Sequence, residues 1–267
     1  MKNLEGLLKF VLPLRLINLN KYNHMKKFVF ILIINLILVS QLWPQESTNT
    51  RIPLLGEMSP EFTAQSTTGK IHFPDDYFMK WKIVFSHPAD FTPVCSSEIL
   101  QLASMQEEFD KLNAKIIVVS TDGLSSHIAW VKSLETISYP GKEPVKIKFP
   151  LVSDADFTIS RKFGMLHSYT SNTRDIRGVF IIDPNDRVCA VFFYPQNIGR
   201  NMEEVKRTLI ALQTSDKYNV LTPANWSPGC DVMVKSPAVH DEAKNQEKKE
   251  NHKASNFPWY MNFIKLP

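Results

Sequence analysis

The chain has 267 residues, 43% hydrophobic and 22% charged, the composition of a globular protein with room for one large domain and an appendage. Its net charge of +4 comes wholly from the first 48 residues, where six Lys/Arg stand against two acids; the remainder balances, which excludes a nucleic-acid-binding body. Three cysteines are too few for a disulfide scaffold, and an odd number leaves at least one free thiol.

Residues 1–48 read as a leader. Met25-Lys26-Lys27 precedes the apolar run Phe28–Val39, a positive segment followed by a hydrophobic one of signal-peptide length. The run is shorter than the 20 or so apolar residues of a comfortable membrane span. The expectation is export to the periplasm or outside, with the segment 25–43 as the signal and residues 1–24 as an upstream extension. A membrane-anchored or cytoplasmic protein is the alternative.

The body, residues 49–216, alternates strands and helices. Residues 52–74 predict short strands with turns at Gly56 and Thr68-Gly69. Lys82–Ser86 and Lys115–Ser120 are short apolar runs of buried-strand type. Between them Ile99, Leu102, Met105, Phe109 and Leu112 recur at helical spacing. A second helix is expected over Ser125–Ile137, with Ile128, Val131 and Leu134 on one side. Leu151–Ser153 predicts a strand, and a short helix follows around Phe157–Phe163. Gly178–Ile182 and Val188–Tyr194 flank Asp183-Pro184-Asn185-Asp186, a hairpin signature. A last helix is expected over Met202–Gln213. The pattern predicts an α/β fold, a mixed sheet flanked by helices.

Residues 217–267 form an extension. Pro223, Pro228 and Pro237 break regular structure, and His240–Lys253 is a polar tether. The aromatic cluster Phe257–Ile264 then needs a surface to bury it, either the parent domain or an identical neighbour.

The stretch SHPADFTPVC, Ser86 to Cys95, carries the chemistry. Two prolines stiffen it, and it delivers Cys95 to the start of a helix, where the dipole and free N–H groups favour a thiolate. The Thr92 hydroxyl can fold back toward the sulfur, Pro88 can shield it, and Glu98 can hold an arginine beside it. A buried structural cysteine is the alternative at Cys95; at Cys189, within an apolar strand, it is the better reading.

The string PxxxTxxC, here Pro88-Thr92-Cys95, resembles the active-site motif of peroxiredoxins, and SHPADFTPVC with Glu98 resembles their one-cysteine, peroxiredoxin-6-like subfamily. Arg177–Pro184 looks like the family strand that begins with the active-site arginine. Tyr194-Pro195 with Gly199-Arg200-Asn201 resembles the segment bearing a second arginine, and Thr222–Trp226 the start of the subfamily's C-terminal extension. The resemblance implies a thioredoxin-like fold and reduction of hydroperoxides by an external thiol, thioredoxin-like, glutathione or other, with no cofactor and no metal. It casts Cys95 as the attacking thiol, Thr92 and Arg177 as peroxide-oxygen ligands, Pro88 as a shield, and Glu98 and Arg200 as a supporting layer. His87 matches the family histidine before the motif and reads as ordering the pocket. Cys230 is either an incidental surface thiol or an unusual resolving cysteine. The resemblance further implies a homodimer, which can assemble further, with each C-terminal arm reaching its partner. A thiol–disulfide oxidoreductase, which would normally carry a CxxC absent here, and a redox-sensing chaperone-like assembly are the competing readings.

Overall fold

The computed structural model describes residues 51–138, 141, 143–235, 258 and 260–267. The leader, the tether, Phe257 and Trp259 lie outside the described residues. Seven strands form one sheet: β1 (Phe62–Ser66), β2 (Gly69–Phe73), β3 (Trp81–Ser86), β4 (Ala114–Ser120), β5 (Leu151–Ser153), β6 (Arg177–Ile182) and β7 (Val188–Tyr194). Their order is β2-β1-β5-β4-β3-β6-β7. The centre, β5-β4-β3, is parallel, while β6, β7, β1 and β2 join antiparallel. The sheet is thus mixed, as the alternation of strands and helices implied.

Helices α1 (Pro93–Lys111), α2 (Leu124–Leu134), α3 (Thr158–Lys162) and α4 (Met202–Tyr218) complete the domain. The central strands read as unbroken apolar runs because both faces are covered. Ile83 and Phe85, Ile116 and Val118, Val179 and Ile181 point to the side of α1, α2 and α4. Val84, Ile117, Val119, Phe180 and Ile182 point to the opposite side, against Phe62, Phe73, Ile159 and Phe163. This alternation follows from the two-residue repeat of a strand.

Two helices differ from expectation. The buried face of α2 is His127, Trp130 and Leu134, and Ile128 is exposed. Helix α4 runs five residues past Gln213, to Tyr218, and ends at Asn219 in the left-handed region (φ 52°), a common helix stop. Its last turn is polar because it faces solvent, so the hydrophobic pattern stops before the helix does.

The extension folds back on its own domain. Strands β8 (Val232–Met233) and β9 (Phe263–Ile264) pair antiparallel. Val232 joins Ala211, Val220 and Trp226 in a small third cluster, with Leu266 packed against it. The resemblance favoured a neighbouring chain as the arm's resting place; in the described residues the terminal strand pairs within its own chain.

Candidate active site

Cys95 reaches its position through the stiff loop between β3 and α1. Phe91 adopts a left-handed backbone (φ 54°) that turns the chain, and Thr92 in extended conformation is the residue before the helix, with Pro93 in the first turn. Proline suits that position because its missing N–H would have had no helical partner. Cys95 is therefore the third helical residue, and no acidic side chain occupies the first turn. The positive end of the helix dipole is left free to act on the sulfur.

Arg177, the first residue of β6, meets Cys95 from the sheet. Its Nη1 donates to Cys95 Sγ at 3.3 Å and to Glu98 Oε2 at 2.7 Å. Its Nε and Nη2 donate to the Gln196 carbonyl at 3.0 and 2.6 Å. Arg200 lies behind. Its Nε and backbone amide donate to Glu98 Oε1, and its Nη2 donates to Oε2. Its Nη1 donates to the carbonyls of Ser86 and Gly178 at 2.9 and 2.7 Å. Gly178 permits this close packing: a Cβ there would stand 3.0 Å from Ser86 Oγ, the atom that accepts the Gly178 amide.

All four side chains are buried, and Cys95 is 0% exposed. Burial pushes the Glu98 carboxyl up, but Arg200 and Arg177 outweigh burial and hold it below the usual carboxylate range. Arg177, Arg200 and Glu98 together place one net positive charge beside the sulfur.

Of the sequence-derived residues, Cys95, Arg177, Glu98 and Arg200 form one hydrogen-bonded cluster. Pro88 is buried in the loop. His87 is buried, with Nε2 3.0 Å from Asp90 Oδ1, which fits an ordering role. The Thr92 hydroxyl donates to the Ala89 carbonyl at 2.8 Å, because that acceptor lies within the same tight turn. Cys230 is exposed and Cys189 partly buried; all three cysteines are free. Burial, with help from Asp183, pushes the Cys189 thiol up to about 11, so it is inert at neutral pH. The Gln196 carbonyl was not foreseen, since a backbone acceptor leaves no mark in side-chain chemistry.

His87, Asp90 and Asp122 bring metal-ligand-type atoms within 4.8 Å of one another. Hydrogen bonds already engage the set: His87 holds Asp90, and Asp122 Oδ2 accepts the Asp90 amide at 2.7 Å. A groove of about 650 Å³ elsewhere, lined by Phe62, Lys70, Asp154 and Lys162 among others, shares no residue with the Cys95 cluster.

Residues 55–191 match the AhpC/TSA family, and residues 211–250 match the C-terminal domain of 1-Cys peroxiredoxin. A peroxiredoxin of Methanosarcina mazei is 46% identical over 211 residues, covering 79% of this chain and 96% of the relative. One of Thermotoga petrophila is 40% identical over 210 residues, covering 79% and 94%. Among solved structures, a yeast mitochondrial 1-Cys peroxiredoxin superposes with a TM-score of 0.68 at 33% identity, covering 80% of this chain and all of the other. Peroxiredoxin 6 of Arenicola marina, as a cysteine-to-serine mutant, gives 0.69 at 29% identity, covering 80% and 98%. A thiol held at a helix start beside a buried arginine, on this sheet and with these relatives, makes the chain a member of the peroxiredoxin family with 1-Cys features, a thiol-dependent peroxidase.

Proposed function

We propose that Cys95 is the attacking thiol, and the observation that carries this is the 3.3 Å approach of Arg177 Nη1 to its sulfur at the start of α1. The thiolate attacks the terminal oxygen of a hydroperoxide. An S–O bond forms, the O–O bond breaks, the sulfur loses two electrons, and the departing alkoxide or hydroxide takes a proton to leave as alcohol or water. The Arg177 guanidinium faces the charge that develops on the oxygens. Pro88 shields the sulfur, and Glu98 with Arg200 holds Arg177 in place. Thr92 serves through its hydroxyl oxygen and through the turn it closes. The sulfenic acid then condenses with a thiol, releasing water and forming a disulfide.

The second thiol is external on this reading. The yeast relative is described as resolving its thiol via glutathione/thioredoxin systems, which supports a donor of either class. Cys230 sits in a turn closed by its own amide on the Ser227 carbonyl at 3.0 Å, with its own carbonyl held by Trp226 Nε1 at 3.1 Å; it is read as an incidental surface thiol. The deciding experiment is the mass of each cysteine peptide after one equivalent of peroxide. Sulfenic acid at Cys95 with unmodified Cys189 and Cys230 is expected. A Cys95–Cys230 disulfide would overturn the external donor, and an untouched Cys95 would overturn the assignment.

Export rests on the Met25–Val39 pattern. Mature protein starting between residues 41 and 50 is expected on N-terminal sequencing of native material. A start at Met1 in the cytosol would refute it. A homodimer, able to assemble further, is the expected oligomeric form.

A further inference from the structure

Behind the Cys95 loop lies a second buried polar group, centred on Asp90. Its Oδ1 is 3.0 Å from His87 Nε2 and 3.0 Å from His127 Nδ1, and its Oδ2 is 2.8 Å from His127 Nδ1. His127 belongs to the first turn of α2 and is fully buried. Its other ring nitrogen, Nε2, is 3.2 Å from the Val152 carbonyl in β5.

Both partners of His127 can only accept: Asp90 is a carboxylate and Val152 offers a carbonyl. A ring that satisfies both at once donates from both nitrogens, one to the carboxylate and one to the carbonyl. His87 differs. Its Nε2 faces the same carboxylate, but its Nδ1 has no partner, and burial disfavours its charged form. Burial pushes the Asp90 carboxyl up, yet the two histidines outweigh it and hold that carboxyl far below the usual range. The titratable groups that face His127 are Asp90, His87 and, from the loop after β4, Asp122. A buried polar pairing of this kind holds geometry rather than adding much stability.

Asp90 lies between Pro88 and Thr92. Its amide donates to Asp122 Oδ2 at 2.7 Å, and the Ala89 carbonyl before it takes the Thr92 hydroxyl. The loop that launches the Cys95 helix is thus fastened to α2, to β5 through His127, and to the β4–α2 turn. We propose that His127, as a buried imidazolium, is a positioning residue for the Cys95 reaction: through Asp90 it clamps the Pro88–Thr92 segment and so sets where the thiol stands relative to Arg177. This role rests on the reading of Cys95 as the attacking thiol.

The test uses the full chain. In wild-type protein, nitrogen-15 NMR of the histidine rings should show both His127 nitrogens protonated and in slow exchange, with the signal assigned by its loss in His127→Asn. His127→Leu removes both donors; His127→Asn returns one amide donor near the place of Nδ1. The second-order rate of sulfenic acid formation with hydrogen peroxide should fall about tenfold or more in the His127→Leu variant, the scale expected when a reacting group is misplaced by a fraction of an ångström. His127→Asn should recover part of that loss. Alkylation of Cys189 should stay slow in both, because a loosened loop leaves the sheet intact, whereas general destabilisation would expose it.

A bare nitrogen on the wild-type ring, or a folded His127→Leu variant with the wild-type rate, overturns the proposal. So does rapid Cys189 labelling together with the rate loss. If the His127→Leu variant does not fold, the ring NMR and His127→Asn decide alone. Cys95→Ser separates the two readings: turnover surviving in it refutes the attacking thiol, while a dead Cys95→Ser beside a wild-type rate in His127→Leu refutes only the clamp.

Discussion

Glu98 and Arg200 are joined at both carboxylate oxygens: Oε1 accepts from Nε at 2.9 Å and from the Arg200 amide at 2.8 Å, while Oε2 accepts from Nη2 at 2.7 Å. The pair links α1 to the segment that leads into α4, and Arg177 Nη1 bridges it to Cys95 Sγ. Removing one member of a buried ion pair costs about 3–5 kcal/mol when the other is left stranded. Glu98 keeps Arg177 but loses the Arg200 guanidinium, so Arg200→Met should destabilise the domain by about 2 kcal/mol or more in urea unfolding. A change under about 1 kcal/mol would show the pair to be solvated.

Arg177 has a different part. Arg177→Met removes the only guanidinium that touches Cys95 Sγ among the described residues, while Arg200 still neutralises Glu98. Peroxide attack measured by stopped flow should slow by about 100- to 1000-fold, the scale seen when a charge-stabilising donor is lost. The folded state should survive, as read by circular dichroism. A few-fold change would place Arg177 outside the reaction.

Asp175 offers a pH test. It is buried, and burial, with Asp154 and Asp122 adding to it, outweighs the opposing Ser160 hydroxyl and pushes its carboxyl up to about 8. The folded chain holds this proton through a range in which the unfolded chain, with a value near 3.8, has released it. Stability from this group is thus complete below about pH 4 and declines as pH rises toward 8. Asp175→Asn should be more stable than wild type at pH 7 by about 2 kcal/mol or more, with the two curves converging near pH 4. Parallel unfolding curves at both pH values would contradict this.

The three thiols should separate by reactivity. Brief alkylation at pH 7.5 should label exposed Cys230 and spare Cys189, whose thiol is pushed up to about 11. Cys189→Ser should keep peroxidase activity within about twofold and Cys95→Ser should abolish it, on the principle that only the thiolate attacks. Peptide mass spectrometry with a steady-state assay reads both, and labelling of Cys189 ahead of Cys230 would reverse the order.

The terminal strand can be removed cleanly. Deleting residues 258–267 takes away the partner of Val232 and Met233 and uncovers the Ala211–Val220–Trp226 cluster. Tryptophan emission should shift to longer wavelength, and sedimentation velocity should show a changed assembly state. Unchanged behaviour in both would mean that β9 has no structural part.

The strands at Ile83–Phe85, Ile116–Val119 and Val179–Ile182 were legible because both sides of each are buried, which leaves an unbroken apolar run. Cys95 was legible because two prolines, an aspartate and a threonine before it are unlike the flanks of a core cysteine. The clamp was not. On α2, hydropathy selects Ile128 and Val131, while the fold buries His127 and Trp130; a histidine satisfied by an aspartate 37 residues away looks like a surface residue in the linear pattern. Its one trace was spacing, since His127, Trp130 and Leu134 lie three and four residues apart. Asp175 left no trace, for a buried acid is written the same way as a solvated one.

The parts of the Cys95 site are far apart along the chain: Arg177 follows Cys95 by 82 residues, and Arg200 follows Glu98 by 102. A ribosome adding roughly 5–20 residues per second releases the cysteine on the order of ten seconds before either arginine exists. The nascent chain therefore carries the cysteine without its arginine. The Cys95–Arg177 contact arises only when β6 has paired with β3 and Arg200 has closed on Glu98. Any chain still unfolded lacks the guanidinium contact that the finished fold places on its sulfur.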